Sequence, residues 1–179
     1  SYFNPISSHL EIELNDRQNE LGTGSGNAIW QFSYDYFFKN SLRLSGNFLI
    51  DELVIDKSER VTGESHGLAA SMRLTWTPKK IEPVFSFFYL FKYIGTNTFR
   101  HERGNNNFVN RSIPLGWRFG SDGIEHKTGI KYFRDNLILD FSLGNILIGE
   151  GTILNEPYER YYDYKTGPFP SGNIQKTNF

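Results

Sequence analysis

The chain of 179 residues has a formal net charge of −1 and contains no cysteine. The balanced charge gives no sign of a nucleic-acid partner, and the lack of cysteine excludes disulfides and thiolate chemistry. The mean hydropathy of −0.47 resembles that of a soluble protein, but a membrane strand uses only alternate residues for its lipid face. Aromatic residues make up 16% of the sequence, and there are 17 glycines, a composition that favours an all-β chain.

Six segments in which apolar and polar residues alternate predict strands. They lie near residues 28–38, 42–51, 67–77, 84–94, 124–133 and 137–145. In the first segment one file consists of Ala28, Trp30, Phe32, Tyr34, Tyr36 and Phe38, and the other includes Gln31, Ser33 and Asp35. Each segment has about 9–11 residues, which is the length that a tilted strand needs to cross the hydrocarbon core of a membrane.

The connections between these segments alternate in length. KNS, PKKIEP and RDN are short and contain the Pro, Asn and Asp residues typical of hairpin turns. The connections at 52–66, 95–123 and 149–171 are long. This alternation places the short turns at one end of the sheet, as in outer-membrane barrels with tight periplasmic turns and long external loops. Trp76 near the short-turn end and Trp30 near the long-loop end agree with two aromatic girdles.

These patterns predict an all-β fold, an antiparallel up-and-down transmembrane β-barrel in the bacterial outer membrane. We interpret residues 1–179 as a single partial barrel domain that contributes about six to eight strands of a larger barrel. Bacterial barrels begin at about eight strands, and unpaired sheet edges are not tolerated in lipid, so we expect an internal fragment of a longer protein. FPSGNIQKTNF, from Phe169, indicates the approach to another strand. The alternative is a soluble β-sandwich or lipocalin-like module that hides the aromatic file.

An ordered set of segments resembles a known family. YFNPISSHLEIELN, GNAIWQFSYDY and LRLSGNFLIDELVIDK come first, NRSIPLGWRFGSDG follows the fourth strand, and GEGTI and GPFPSGNIQKT come last. Together they resemble the capsule-assembly Wzi family of outer-membrane proteins. The resemblance implies a closed barrel of about 18 strands, of which this chain would form an inner third. It also implies a lectin-like role in holding capsular polysaccharide at the cell surface. The family's helical periplasmic portion has no counterpart here.

The long loop 95–123 carries the predicted ligand contacts. Aromatic faces suit the C–H surface of a sugar, and polar groups suit its hydroxyls. We therefore assign polysaccharide binding to His101, Arg111, Trp117, Arg118 and Asp122. An acidic sugar would suit the guanidinium groups of this set. The alternative is that NRSIPLGWRFGSDG is a compact surface loop that packs its own tryptophan.

Charged residues on the polar file of the strands form a second candidate set. The residues predicted to line a lumen are Arg43, Asp51, Arg73, Lys92, Lys127, Lys131 and Asp140. Such charges can select solutes along a pore, or they can pair across neighbouring strands as structural contacts. A porin-like channel for small solutes is therefore the alternative to polysaccharide binding.

No motif predicts catalysis. The 4 histidines are scattered without the spacing of a metal site. Glu150 and Glu156 could form a carboxylate pair, but no nucleophile and base are arranged together. LGTGSGN precedes a strand instead of a helix, so it lacks the setting of a phosphate loop. We predict a non-enzymatic protein without metal or cofactor, whose partners are outer-membrane lipid and an extracellular or capsular polysaccharide, and not nucleic acid.

Overall fold

The structure, a computed structural model, describes residues 29–38, 41–52, 66–79, 84–100, 109–110, 113–114, 116–155 and 168–179. Within these ranges all regular structure is β, and no helix occurs that is long and apolar enough to cross a membrane. The strands in these ranges are β1 (Trp30–Phe38), β2 (Leu42–Glu52), β3 (Gly67–Trp76), β4 (Val84–Ile94), β5 (Val109–Asn110), β6 (Ile113–Pro114), β7 (Gly123–Arg134), β8 (Leu137–Ile148) and β9 (Gln175–Asn178).

Seven of these strands form one antiparallel up-and-down sheet. Their order is β1-β2-β3-β4-β7-β8-β9, and the short strands β5 and β6 pair separately with each other. The predicted all-β, antiparallel up-and-down architecture is therefore confirmed. The sheet is open, with β1 and β9 at its edges in the described part of the chain, so closure into a barrel stays a prediction. The four residues of β9 lie in the segment that indicated an additional strand.

The six long strands lie on the segments that alternation selects. β4 spans the same residues, 84–94, while β1 begins two residues later than predicted and β8 runs three residues further, to Ile148. The sequence pattern did not reveal the last three residues of β8. Ile146 is fully buried beneath a loop, so this end of the strand is apolar on both faces and shows no alternation. Parts of the three predicted long loops, residues 53–65, 101–108, 111–112, 115 and 156–167, lie outside the described residues.

The strand register gathers most of the aromatic and aliphatic side chains on one side of the sheet, which we call the apolar face; Phe37 and Ile138 are exposed on the other side. Directly paired residues point to the same side, and the pairing assigns to this face Trp30, Phe32, Tyr34, Tyr36, Phe38, Leu42, Leu44, Phe48, Ile50, Leu68, Ala70, Met72, Leu74, Trp76, Phe85, Phe87, Tyr89, Phe91, Tyr93, Ile124, Ile130, Tyr132, Leu137, Leu139, Phe141, Leu143 and Leu147. Much of it is open to the surroundings, since Trp30 is 58% exposed and Phe141 is 64% exposed.

Aromatic rings of the apolar face meet along its short-turn end. Ring centroids lie 4.5 Å apart between Tyr36 and Phe38 and 5.5 Å apart between Trp76 and Phe87. Phe85 continues the row on β4, next to Tyr132 of β7. At the opposite end, the ring of Tyr93 lies 4.7 Å from that of Phe169. Aromatic residues thus mark both ends of the strands.

The buried core lies on the other side of the sheet, which we call the polar face. The core consists of Ala69, Ile94 and Ile146 from the strands together with Phe99, Trp117 and Ile153 from the loops. It sits at the long-loop end, so the loops bury apolar groups against the face that carries the charges. On the apolar face, the described part of the chain provides a local cover where Phe169 packs on Tyr93, and much of the rest is exposed.

Candidate functional site at the loop-covered end of the polar face

Four loop segments meet at the long-loop end of the sheet, mostly over the polar face, and we call them together the cap. They are residues 95–100, 116–122, 149–155 and 168–171. Phe169 of the last segment reaches Tyr93 on the apolar face. Small residues of the sheet make room for the cap: a Cβ added to Gly123 of β7 would lie 2.5 Å from the ring of Trp117. Only glycine allows the indole to approach the strand this closely. The glycine at position 123 therefore leaves the space that the Trp117 side chain of the cap occupies.

Asp122 joins these segments through its carboxylate, which has no exposed surface. It accepts hydrogen bonds from Thr96 Oγ1 at 2.8 Å and from the Gly151 amide at 3.0 Å. Ser171 donates to it twice, from its amide at 3.0 Å and from its hydroxyl at 2.5 Å. The backbone of Asp122 has a φ of 59°, a left-handed conformation that aspartate adopts more readily than most residues. A buried carboxylate with this many donors is fully satisfied.

The indole of Trp117 is fixed between the cap and the sheet. Its Nε1 donates to Glu125 Oε2 at 2.9 Å, and the same oxygen accepts a bond from Lys92 Nζ at 3.0 Å. The ring packs edge-on against Phe119 with centroids 5.0 Å apart, and the side chain is 4% exposed. Because the ion pair with Lys92 holds the carboxylate in place, the carboxylate fixes the direction in which the indole points.

Two further buried groups hold the cap in place: Arg100 joins two of its segments to each other, and Asp51 joins it to β2. Arg100 Nε donates to the carbonyl oxygen of Thr96 at 3.2 Å, and its Nη2 donates to the carbonyl oxygen of Gly151. Asp51 accepts the amide of Phe99; it lies where the pairing of β2 with β3 shifts, between Ile50 and Glu52. The bulge accounts for the burial of Asp51, since an extra residue redirects the side chain at that point.

A cavity of about 190 Å³, the polar-face cavity, lies between the cap and the first four strands. The cap contributes Phe99, Gly116 and Trp117 to its wall. The sheet contributes apolar groups from Leu49, Ala69 and Ile94 and polar groups from Gln31, Asn47, Ser71 and Lys92. Aromatic, aliphatic, amide, hydroxyl and ammonium groups therefore meet in one small space, which is the mixture that ligand pockets typically use.

The structure separates the residues that the sequence selected for ligand binding. Trp117 lines the polar-face cavity, and Asp122 is buried as the link between cap segments. Arg118 is exposed, with its guanidinium 4.4 Å from the centroid of the Phe119 ring. His101 and Arg111 lie outside the described residues. Ligand contact by these five stays a prediction, and the buried Trp117 agrees with the alternative of a loop that packs its own tryptophan.

The residues predicted to line a lumen share the polar face. The register places Arg43, Arg73, Lys92, Lys127, Lys131 and Asp140 there, and Asp51 lies beneath the cap. Ion pairs across neighbouring strands join Lys131 to Asp140 at 2.8 Å and Arg43 to Asp35 at 2.5 Å. These are the cross-strand pairs that the structural alternative expected, and lining of a solute path stays a prediction.

Several residues of the site had no sequence signal. Asn47, Ser71 and Glu125 fall on polar files like many others, and Arg100 is a single charge in a long loop. Their partners are distant in the chain, as with Lys92 and Glu125, which are 33 residues apart. The register of the sheet brings Lys92 to Glu125, and the folding of the loops brings Arg100 to Gly151, so composition and spacing could not select these residues.

The fold and site define a β-sheet protein with an exposed apolar face and a loop-capped polar face that holds a small mixed-chemistry cavity. Across the described ranges, no three His, Asp or Glu side chains converge in a way that could hold a metal ion. Comparison with known proteins gives no match to this chain among family models, curated proteins or solved structures. The resemblance to the capsule-assembly Wzi family stays a prediction from the sequence.

Proposed function

We propose that the sheet forms part of the wall of a transmembrane β-barrel in a bacterial outer membrane, and that its capped polar face binds an extracellular polysaccharide without chemical turnover. The observation that carries the proposal is the exposure of the apolar face. Phe32, Tyr36 and Phe141 are 58%, 60% and 64% exposed, while the cap buries its core on the opposite face. A soluble sheet hides its apolar side and wets its polar side, whereas a membrane wall faces lipid with its apolar side.

Strand length supports the membrane assignment. β8 has 12 residues, which rise about 40 Å along the strand and about 28 Å along the membrane normal at a tilt of about 45°. This matches an apolar band about 25 Å tall. The aromatic rows at both strand ends fit the interfacial preference of Trp and Tyr.

Two polar groups in the interior of the apolar face, His126 and Thr128, have partners, as lipid contact requires. Tyr89 Oη and His126 Nδ1 share a hydrogen bond of 2.7 Å. The hydroxyl of Thr128 donates to the carbonyl oxygen of Phe88 at 3.0 Å. An unsatisfied polar group in hydrocarbon costs several kcal/mol, so these bonds reduce the cost of placing His126 and Thr128 on a lipid-facing wall.

Polysaccharide binding is supported by the chemistry of the polar-face cavity. Trp117 and Phe99 supply aromatic surface beside the amide of Asn47 and the hydroxyl of Ser71. Sugars present C–H faces together with hydroxyls that both donate and accept, so such a lining recognises them. The cavity lies at the long-loop end, which is the external end in the barrel layout.

A porin-like channel is the second candidate function, and the charges of the polar face favour it. Lys92, Arg73 and Lys127 lie on three adjacent strands, β4, β3 and β7. Charged side chains on a lumen wall tune the selectivity of ion passage. The cap argues against a wide pore here, because it covers the polar face at one end.

A matched pair of lysine substitutions tests the membrane wall. Phe141 and Ser142 are neighbours on β8 that belong to opposite faces. We expect Phe141→Lys to lower the yield of membrane-inserted protein sharply, since lysine on the lipid face costs about 2–4 kcal/mol near the midplane. Ser142→Lys should insert like the wild type. Equal insertion of both variants, measured by flotation with lipid vesicles, would contradict the proposal.

Binding and conduction separate the two candidate functions. The purified protein in lipid vesicles should retain extracellular polysaccharide from Gram-negative cultures, and planar bilayers that contain it should show little ion conductance. Steady conductance without polysaccharide retention would identify the channel instead. Vesicles without protein provide the baseline for both measurements.

A further inference from the structure

We infer that the polar-face cavity is a subsite for one uncharged pyranose ring of the bound polysaccharide. The inference rests on the proposed function and makes it specific. It assigns the ligand contacts to Asn47, Ser71 and the indole of Trp117, and it gives no contact to Arg118, which lies outside the cavity lining.

The size of the cavity limits the ligand. Its volume of about 190 Å³ is below the roughly 300 Å³ at which pockets for drug-sized molecules begin. It is several times the volume of about 30 Å³ that a water molecule occupies in the liquid. This space is large enough for one sugar ring, and because it opens to solvent, neighbouring rings of the polysaccharide would continue outside it.

The polar lining is already oriented by its own hydrogen bonds. Asn47 Oδ1 accepts from Ser33 Oγ at 2.7 Å and from Gln31 Nε2 at 3.0 Å. Asn47 Nδ2 lies 3.3 Å from Ser71 Oγ. These groups form one row across β1, β2 and β3, because Ser33 pairs with Asn47 and Asn47 pairs with Ser71. Groups held in place before binding lose little freedom when a ligand arrives, and sugar hydroxyls can replace or extend these bonds.

The apolar lining suits the face of a sugar ring. Leu49, Ala69 and Ile94 form one row of the sheet beside the polar row, and Trp117 faces the same cavity from the cap. Glu125 holds the indole through its hydrogen bond of 2.9 Å, so the aromatic wall is rigid. A ring with C–H groups on one surface and hydroxyls at its edge matches this division between the two rows.

The charge balance of the cavity selects an uncharged sugar. Lys92 is the cation among the described lining residues, and its ammonium lies 3.0 Å from the carboxylate of Glu125. That carboxylate also accepts the bond from Trp117. An acidic sugar would have to compete with Glu125 for Lys92 and weaken this partly buried ion pair, which costs free energy. A neutral hydroxyl needs no such exchange.

Two matched serine variants and one asparagine variant test the subsite. Ser71 and Ser45 lie on adjacent strands and on the same face, but only Ser71 lines the cavity. We expect Ser71→Ala to weaken binding of the methyl glycosides of glucose, galactose and mannose about three- to tenfold, as loss of one hydrogen bond does. Asn47→Ala should weaken it about tenfold or more, and Ser45→Ala less than about twofold. Ligand-observed NMR on the purified protein measures binding, and circular dichroism verifies the fold of each variant.

Binding by the wild type and these three variants distinguishes the possible outcomes. Preferential loss in Ser71→Ala and Asn47→Ala, with glucuronate bound more weakly than the neutral glycosides by the wild type, supports the subsite. If both variants retain polysaccharide as well as the wild type does, the subsite is overturned and the proposed function stands. Stronger binding of glucuronate overturns the uncharged ligand. Failure of the wild type to bind any glycoside or polysaccharide overturns both the subsite and the proposed function.

Discussion

At the residue scale, the buried carboxylate of Asp122 connects parts of the chain that are far apart. It bonds to Thr96, 26 residues before it, and to Ser171, 49 residues after it. Ser171 is buried, and its amide would otherwise lack a partner, which costs about 1–3 kcal/mol. The aspartate therefore holds the cap in one arrangement over the polar face.

Asp122→Asn is expected to loosen the cap. The amide keeps one acceptor, but its NH₂ group would face the donors of Gly151 and Ser171, at a cost of about 2–4 kcal/mol. Hydrogen exchange at the amides of these two residues should accelerate about thirtyfold or more. Asp135→Asn is the control, because Asp135 also has a positive φ, 48°, but its side chain is 88% exposed. Unchanged exchange in Asp122→Asn would show that the cap does not depend on this carboxylate.

Glu125→Gln is expected to destabilise the wall that contains Trp117. The substitution removes the partner of Lys92 and leaves that ammonium partly buried without its counter-charge, at a cost of about 2–3 kcal/mol. The thermal midpoint in detergent should fall by about 4–12 °C. The control Asp140→Asn breaks a pair with Lys131 in which both side chains are more than a third exposed, so its effect should stay below about 1 kcal/mol. Equal shifts in the two variants would contradict this account.

Trp117 was predictable from the sequence as a candidate site residue, but the residues that surround it were not. A tryptophan in a long loop is conspicuous by its type, whereas Glu125 looks like any charge on an alternating strand. The indole meets this carboxylate only because the loop folds back over β7. The role of Asp122 was predicted as ligand contact, and its burial became visible only once Gly149 and Ser171 were placed around it.

At the scale of elements, the strands were predictable because their alternation spans many residues. β4 was the least regular of them, since Phe88 and Leu90 interrupt its polar file. The structure gives the reason for Phe88: its ring is buried on the polar face, and the guanidinium of Arg73 lies 4.2 Å from its centroid. A long cationic side chain covers the aromatic ring, so an apolar residue is accommodated on a polar face.

Gly129→Val tests how tightly β4 and β7 pack on the polar face. A Cβ at Gly129 would lie 2.6 Å from the Phe88 ring and 2.6 Å from the carbonyl oxygen of Phe141. We expect a loss of about 1–3 kcal/mol in the free energy of unfolding, because the ring must move. Ser142→Val is the control, since Ser142 pairs directly with Gly129 and already has a Cβ. Urea titration in detergent checks both, and a neutral Gly129→Val would show that the contact is loose.

The cap was not predictable as a set of elements. Its described segments are short and have no periodicity, and its hydrogen bonds join residues separated by tens of positions. The loop boundaries followed from the strands on either side, but the direction in which the loops fold did not. Their return over the polar face depends on small residues such as Ala69 and Gly123, which appear in the sequence as weak strand positions.

At the scale of the whole molecule, the two faces of the sheet determine what the protein can contact. Exposed aromatic side chains cover one face from β1 to β8. The other carries ion pairs and the cap, together with a few exposed apolar side chains such as Phe37 and Ile138. Exposed apolar side chains that share one face mark an interaction surface, and in our proposal the partner is lipid. The polar face then borders an aqueous interior in which the polar-face cavity is open to solutes.

Site-directed spin labelling of β3 in lipid vesicles tests this orientation most directly. The sequence contains no cysteine, so single cysteines at Met72, Arg73, Leu74 and Thr75 accept labels without background. Our account predicts that labels at 72 and 74 collide with oxygen dissolved in lipid, while labels at 73 and 75 collide with a water-soluble nickel complex. Labels at all four positions accessible to nickel, or the opposite alternation, would contradict it.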